Sequence, residues 1–186
     1  QEETIYHRQL KMTSPALNRF RDLVLYNLEA GQAVLTDNND IRIYTDGKEK
    51  FHALIEEMKR AKKYIHVQYY IIRNDEVWQD IEKVLIEKAH EGVEVRVLFD
   101  SMGCRTMHKR DWDRLKCEGI RVAEFFPAIL GQLQMRVNYR NHRKIVVIDG
   151  KVGFVGGFNV GTEYIRKDEK FGYWRDTHLC IEGAAV

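Results

Sequence analysis

Apolar residues recur along the chain at two spacings, which predict helices alternating with strands. Spacings of three and four residues predict four helices. The first begins at Ser14-Pro15, and the other three cover about 48–62 (capped by Asp46), 77–90 and 110–117. Short apolar runs bounded by polar turns predict strands at 33–35, 41–45, 64–72, 93–99, 120–124, 145–149, 152–155 and 177–181. The Asp149-Gly150 pair between two of these runs predicts a hairpin.

The order of these elements is typical of an α/β fold. A helix and a hairpin are followed by repeated helix and strand, which predicts a mixed β-sheet flanked by helices on both faces. Residues 145–148 are apolar without alternation, so we expect this strand to be buried on both faces. The sequence shows no internal repeat and no linker, and it therefore predicts a single domain over residues 1–186.

Composition narrows the class of protein only slightly. Hydrophobic residues make up 44% and charged residues 31% of the 186, which is typical of a globular chain rather than a disordered one. The net charge of +2 is too small to predict binding to nucleic acid or to an anionic membrane by itself. The three cysteines, which form no C-x-x-C pair, indicate a reducing compartment. No apolar stretch is long enough to span a bilayer, so we expect the chain alone to be soluble.

Candidate chemistry is concentrated in the pattern H-x-K-x4-D-x6-G-G-x-N. Its specified positions are His142, Lys144, Asp149, Gly156, Gly157 and Asn159. On an extended strand, side chains two residues apart point to the same face, which places His142 beside Lys144. Neutral imidazole can attack phosphorus while an ammonium group stabilises charge on the non-bridging oxygens. The pair therefore indicates phosphoryl transfer.

The remaining polar positions of the pattern receive supporting roles. We expect Asn159 and Gly157 to bind the phosphate, through a side-chain amide and through close approach of a backbone without Cβ. Asp149 has two interpretations: the motif names it with the catalytic residues, whereas strand parity turns it away from His142 and makes it a turn anchor. Asp176 is a candidate to orient the His142 ring, or it simply pairs with Arg175 or a nearby lysine.

Three stretches around the pattern resemble bacterial cardiolipin synthases of the phospholipase D superfamily. They are Asn138–Lys144, Gly156–Gly161 and Phe171–His178. The resemblance covers nearly the whole chain and points to the first of two catalytic repeats. It assigns His142, Lys144 and Asp149 to catalysis. Many members of the superfamily have serine where this chain has Gly157, a variation that the cardiolipin synthases share.

The resemblance implies a specific reaction and cell location. Such enzymes have two tandem repeats, each with one motif, behind membrane-anchoring helices at the bacterial cytoplasmic membrane. One histidine forms a phosphatidyl-enzyme intermediate and the other acts as acid and base, without a metal or other cofactor. Two molecules of phosphatidylglycerol, or of a related anionic phospholipid, then give cardiolipin and glycerol.

The chain itself contains one motif, so we expect it to be a fragment that needs a second repeat or a second copy of itself to be active. Two alternatives remain open. One is a single-motif phosphodiesterase or nuclease that acts as a homodimer. The other is a non-catalytic module that binds anionic lipid or nucleic acid, although no specific nucleic acid is expected.

Overall fold

A computed structural model describes residues 15–127, 139–165 and 172–186. The sequence predicted one domain over residues 1–186, and the structure groups the chain into two compact units. Residues 1–39 and Ala185 form one unit, in which helices α1 (Pro15–Asn18) and α2 (Arg21–Gly31) are described. Residues 40–184 and Val186 form the other unit, which carries the motif.

The elements that follow are close to those predicted. The helices are α3 (Gly47–Arg60), α4 (Glu76–His90), α5 (Lys109–Cys117) and a 3-10 helix (Thr162–Ile165). The strands are β1 (Asn39–Tyr44), β2 (Tyr64–Tyr69), β3 (Glu94–Asp100), β4 (Arg121–Phe125), β5 (Ile145–Ile148), β6 (Val152–Gly156) and β7 (His178–Gly183). The predicted N-cap is confirmed, because the Asp46 carboxylate accepts hydrogen bonds from the amides of Lys48 and Glu49.

The strands form one mixed sheet in the order β1-β7-β6-β5-β2-β3-β4. β2, β3 and β4 are parallel, whereas β5 runs antiparallel to β2 and begins an antiparallel series with β6 and β7. The predicted hairpin joins β5 to β6, with positive φ angles of 56° at Asp149 and 62° at Gly150. The predicted mixed β-sheet with helices is confirmed, but α3, α4 and α5 pack on one of its faces, whereas helices were predicted on both.

The core lies between α3, α4, α5 and one face of this sheet. A continuous buried cluster joins helix residues such as Leu54 and Ile81 to Val67 of β2 and Val146 of β5. Alternate residues of the strands point the other way and are half-exposed, among them Ile145 and Val147. The expectation that the strand at 145–148 is buried on both faces is therefore wrong, because these helices cover the face of Val146 and Ile148.

Two other local predictions differ from the structure. Residues 33–35 were predicted as a strand but have no regular structure. The apolar run 64–72 ends as a strand at Tyr69 and then turns, and Ile72 forms an isolated bridge with Val160. The loop predicted at 127–138 falls, after Pro127, outside the described residues.

Candidate active site

The segment that carries His142 is anchored to the carboxyl ends of two parallel strands. Asp100, the fully buried last residue of β3, accepts a hydrogen bond of 3.1 Å from the Asn141 amide. Gln68 of β2 donates to the Asn141 side-chain oxygen at 2.8 Å. Polar groups that follow parallel strands meet at one sheet edge, which explains why the segment lies there.

His142 and Lys144 are in direct contact, as predicted. The Lys144 Nζ lies 2.9 Å from Nδ1 and 3.2 Å from Nε2 of His142, and it donates to the His142 carbonyl oxygen at 2.7 Å. The imidazole is exposed, whereas the lysine is 3% exposed. β5 begins only at Ile145, so the contact is made by the segment before the strand rather than on it.

Tyr70 completes this arrangement on the side of the β2–α4 connection. Its ring centroid lies 4.6 Å from that of His142, tilted by 48°, and 5.4 Å from the Lys144 Nζ. A phenol ring beside both groups fixes the imidazole and gives the ammonium a π face. Tyr70 was not predicted as a site residue.

The pKa values of the pair suit a neutral imidazole beside a charged ammonium near pH 7. Burial, followed by the Lys144 charge, lowers the pKa of His142 below its ordinary value, and Asp100 opposes the shift. Burial also lowers the pKa of Lys144 to about 8, against the opposing effect of the Asp176 carboxylate. The lone pair needed for attack on phosphorus and the charge needed to stabilise it therefore coexist.

Asp149 lies at the other end of β5 and is a structural anchor. Its carboxylate accepts hydrogen bonds of 2.8–2.9 Å from the backbone amides of Lys62, Lys63 and Tyr64. Burial disfavours its charged form, but these hydrogen bonds outweigh that effect and hold the pKa of Asp149 below its ordinary value. These contacts fasten the β5–β6 hairpin to the start of β2, in agreement with the turn-anchor interpretation, and a catalytic role of Asp149 remains a prediction.

Asn159 lies near the site, but its side-chain oxygen and nitrogen are both hydrogen-bonded to other residues of the chain. It is 5% exposed, its side-chain oxygen accepts from the Ile71 amide at 3.1 Å, and its amide donates to the Tyr164 hydroxyl at 3.0 Å. These contacts tie the β2–α4 connection, which carries Tyr70, to the 3-10 helix. Its predicted role in phosphate binding remains a prediction.

Gly157 and Asp176 lie against each other. A Cβ at Gly157 would overlap the carboxyl group of Asp176, while the Gly157 amide donates to the Thr177 carbonyl oxygen at 2.9 Å. The predicted contact between Asp176 and His142 is not formed among the described residues, where the His142 side chain meets Lys144 and Tyr70. The charge of Asp176 acts on Lys144 instead.

His178, the first residue of β7, is a buried polar group that the sequence did not single out. It is fully buried, and neither ring nitrogen has a hydrogen-bond partner among the described residues. It pairs with Gly156, whose amide in turn donates to the Lys144 carbonyl oxygen at 3.3 Å. Burial, then the charges of Lys50 and Lys144, lowers the pKa of His178 to about 2, which keeps the ring neutral.

Comparison with known families identifies the chain. Residues 54–174 match the family described as cardiolipin synthase, PLD-like domain. The chain belongs to this family. Its curated relatives include the cardiolipin synthase of Oceanobacillus iheyensis, 48% identical over 96% of this chain, and the major cardiolipin synthase ClsA of Bacillus subtilis, 45% identical over all 186 residues of this chain. The chain spans 37% and 39% of these two proteins, so it corresponds to well under half of each.

Solved structures place the fold of this PLD-like domain among known proteins. NucT from Helicobacter pylori superposes with a TM-score of 0.60 at 14% identity, over 79% of this chain and 87% of that chain. Phosphatidylserine synthase from Haemophilus influenzae superposes with a TM-score of 0.59 at 19% identity, over 77% of this chain and 33% of that chain. At these identities the likeness shows the fold alone.

Two kinds of feature are absent from the described residues of this PLD-like domain. Within residues 15–127, 139–165 and 172–186, no helix combines the length and the apolar composition needed to cross a bilayer. The same ranges contain no group of three or more His, Cys, Asp or Glu side chains placed to bind a metal ion. The three cysteines are free thiols, two of them buried.

Sequence reasoning missed Tyr70, Asp100 and His178 as members of the site. Asp100 had a usable signal, because a carboxylate that directly follows an apolar parallel strand lies at the edge where sites form. Tyr70 and His178 had none, since an aromatic residue or a lone histidine in a strand-like run is usually a core residue. Their proximity to Lys144 depends on the pairing of β2, β5, β6 and β7.

Proposed function

We propose that this chain is one catalytic repeat of a cardiolipin synthase, which transfers a phosphatidyl group from one phosphatidylglycerol molecule to another and releases glycerol. The observation that carries the proposal is the exposed His142 imidazole, held 2.9 Å from the buried Lys144 ammonium. The relatives named as cardiolipin synthases support it at 45–51% identity.

The first step is nucleophilic displacement at phosphorus. A neutral imidazole nitrogen attacks the phosphodiester, a P–N bond forms, and the P–O bond to glycerol breaks. A protonated histidine from a second motif gives its proton to the departing glycerol oxygen. The product is a phosphatidyl-histidine intermediate and free glycerol, with no electron transfer.

The second step reverses the roles of the groups. The second histidine, now neutral, takes the proton from a hydroxyl of another phosphatidylglycerol. The resulting oxygen attacks phosphorus, a P–O bond forms, and the P–N bond breaks to return the imidazole. Cardiolipin leaves, and both histidines are back in their starting protonation states.

The described residues supply positions and charge for these steps. Lys144 would stabilise the negative charge that develops on the non-bridging oxygens, and Tyr70 would hold the ring of His142. Asn159 and the Gly157 backbone would line the phosphate site. The proposal includes neither a metal nor another cofactor, and His142 serves either as the nucleophile or as the acid.

The second motif must come from another repeat or from a second copy of this chain. Since the sequence contains one H-x-K pair, it cannot supply the histidines of both motifs. Phosphatidylglycerol is membrane-bound, so the parent enzyme would act at the bacterial cytoplasmic membrane surface.

The decisive experiment is a His142→Asn variant of the two-repeat parent enzyme, assayed on phosphatidylglycerol vesicles. Cardiolipin and glycerol, measured by mass spectrometry, should fall by roughly 10²–10⁴-fold or more, because asparagine can neither attack phosphorus nor carry the proton. His52→Asn, an exposed histidine on α3, is the control and should retain wild-type transfer.

Two results would contradict the proposal. One is a His142→Asn enzyme that still forms cardiolipin at the wild-type rate. The other is a wild-type enzyme that hydrolyses phosphodiesters or nucleic acid but makes no cardiolipin from phosphatidylglycerol, which would favour a phosphodiesterase.

A further inference from the structure

Three aromatic rings form a cluster beside the segment that carries His142. Phe125 is the last residue of β4, Phe126 follows it, and Tyr139 lies three residues before His142. Their ring centroids are 5.7, 5.9 and 6.4 Å apart, which is the spacing of aromatic side chains in contact. These three residues are named the aromatic cluster.

The aromatic cluster is fixed to the sheet but remains open to solvent. The Phe126 carbonyl oxygen accepts hydrogen bonds from the Ser101 hydroxyl at 2.8 Å and from the Arg140 guanidinium at 3.4 Å. That guanidinium also lies 5.2 Å from the centroid of the Phe126 ring. These contacts hold Phe126 at a φ of 53°, which is unfavourable for a residue with a side chain. Tyr139 is nevertheless 59% exposed and the two phenylalanines are half-buried, so the fold holds apolar surface open at this edge.

The charge exposed beside the aromatic cluster is positive. Residues 139–144 include three basic side chains and no acidic one. Arg143 is exposed, whereas Asp100, the carboxylate that lies 3.8 Å from Arg140, is fully buried. Glu124 is exposed, but it precedes the last residue of β4 and therefore points to the opposite face of the sheet. An anionic ligand that approaches the aromatic cluster would meet a cation rather than a carboxylate.

We propose that the aromatic cluster and Arg143 form a surface that docks the site onto an anionic phospholipid bilayer. The inference rests on the proposed function, in which His142 acts on a lipid held in a bilayer and must therefore face the bilayer surface. Aromatic rings enter the boundary between headgroups and acyl chains, and exposed cations are attracted to anionic headgroups. Tyr139 and Arg143 lie within three residues of His142, so this docking would bring the imidazole to the level of the lipid phosphates.

A second repeat is the other occupant to consider, and the size of the aromatic cluster argues against it. A stable protein interface covers about 800 Å² on each partner. An aromatic side chain contributes about 150–250 Å² when it is fully buried, and two of these three rings are already half-buried. The aromatic cluster therefore offers too little apolar surface to hold a repeat by itself, but enough for its rings to enter a bilayer.

Binding of the 186-residue chain to sucrose-loaded vesicles tests this surface directly. Vesicles of phosphatidylglycerol and phosphatidylcholine are sedimented with the chain, and the bound fraction gives the dissociation constant. Tyr139→Ser removes an exposed ring and Arg143→Gln removes an exposed cation, and each should weaken binding by roughly fivefold or more. Tyr26→Ser and Lys83→Gln are the matched controls. They change an exposed tyrosine on α2 and an exposed lysine on α4, and both should bind like the wild type.

The lipid composition separates the contribution of charge from that of the rings. On vesicles of phosphatidylcholine alone, the wild type should bind more weakly and Arg143→Gln should no longer differ from it, because the surface carries no net charge. Wild-type binding of Tyr139→Ser and Arg143→Gln to phosphatidylglycerol vesicles would overturn the inference. A Tyr139→Ser chain that loses self-association in analytical sedimentation but keeps vesicle binding would also overturn it, because the aromatic cluster would then hold a second copy of the chain.

Turnover by the two-repeat enzyme gives a second readout. Tyr139→Ser should lower cardiolipin formation on vesicles by roughly fivefold and leave turnover of a soluble short-chain phosphatidylglycerol unchanged, because that substrate requires no docking. An equal loss on both substrates would place Tyr139 in the catalytic site and overturn the inference. Failure of the proposed function would remove cardiolipin formation from the wild type, whereas the vesicle-binding comparison would remain decisive for the docking surface.

Discussion

His142 and Lys144 divide the chemistry of the site between an exposed ring and a buried cation. In the proposed function, exposure would let the imidazole meet a lipid phosphate, and burial makes the single charge of Lys144 act through a medium of low dielectric. The same burial lowers the pKa of the lysine to about 8, so the charge is retained at neutral pH with little margin. The motif predicted the contact between these two residues because it is local in sequence.

His178 should make the stability of the fold sensitive to acid. Its pKa is about 2 when folded and near 6.5 when unfolded, so below pH 6.5 the unfolded chain binds a proton that the folded chain does not. The free energy of unfolding should therefore fall with decreasing pH, by up to about 1.4 kcal/mol per pH unit from this group. Urea unfolding of the wild type and of His178→Leu between pH 5 and pH 7 measures this pH dependence of the free energy of unfolding.

The leucine variant should lose that part of the pH dependence, because leucine binds no proton in either state. His52→Leu, an exposed site, is the control and should keep the wild-type slope. Equal slopes for His178→Leu and wild type would show that the buried ring already carries a proton or is open to water.

At the scale of elements, the β5–β6 hairpin depends on a contact with β2. The Asp149 carboxylate holds three consecutive backbone amides where α3 gives way to β2, and the turn itself requires positive φ at Asp149 and Gly150. These hydrogen bonds hold the end of β5 beside the start of β2, in the register in which Ile148 pairs with Ile65. The motif aspartate therefore fastens the end of β5 opposite to the segment that carries His142.

Asp149→Ala should destabilise the fold without removing the chemistry. Loss of three hydrogen bonds to a charged acceptor should lower the free energy of unfolding by on the order of 3 kcal/mol. Turnover per folded molecule of the two-repeat enzyme should stay close to wild type, measured at a temperature where the variant is folded. Asp113→Ala, which removes a surface carboxylate paired with lysines, should leave stability close to that of the wild type.

A stable, folded Asp149→Ala enzyme with turnover lowered by a factor of about a hundred would instead support a catalytic role, on the scale expected for an acid or base. That result would restore the assignment that the motif implied and the hydrogen bonds argue against.

At the scale of the whole molecule, one motif provides half of the proposed chemistry. The isolated chain should make cardiolipin only when two copies, or this chain and a second repeat, meet. Turnover per chain on a soluble short-chain phosphatidylglycerol should fall to background as dilution converts any dimer to monomer. Analytical sedimentation measures the fraction of dimer at each concentration. A second repeat added in excess should restore it, and constant turnover per monomer would contradict the need for two imidazoles.

The half-exposed face of the sheet also belongs to this scale. The apolar run 145–148 suggested burial on both sides, but the helices α3, α4 and α5 contribute to a core on one side only. The sequence of a strand shows how apolar it is, but it does not show which elements cover each of its faces. That information lies in the packing of segments far apart in the chain.

The sequence by itself determined the helices, most strands, the Asp149-Gly150 hairpin and the His142–Lys144 pair, because each depends on residues close together in the chain. Only the tertiary structure decided that Asp149 anchors β2, that Asp176 lies against Gly157, and that His178 is buried beside Gly156. These relations depend on strand register and on glycines that let side chains approach. They arise when strands far apart in the chain, such as β2 and β5, pair through long-range packing.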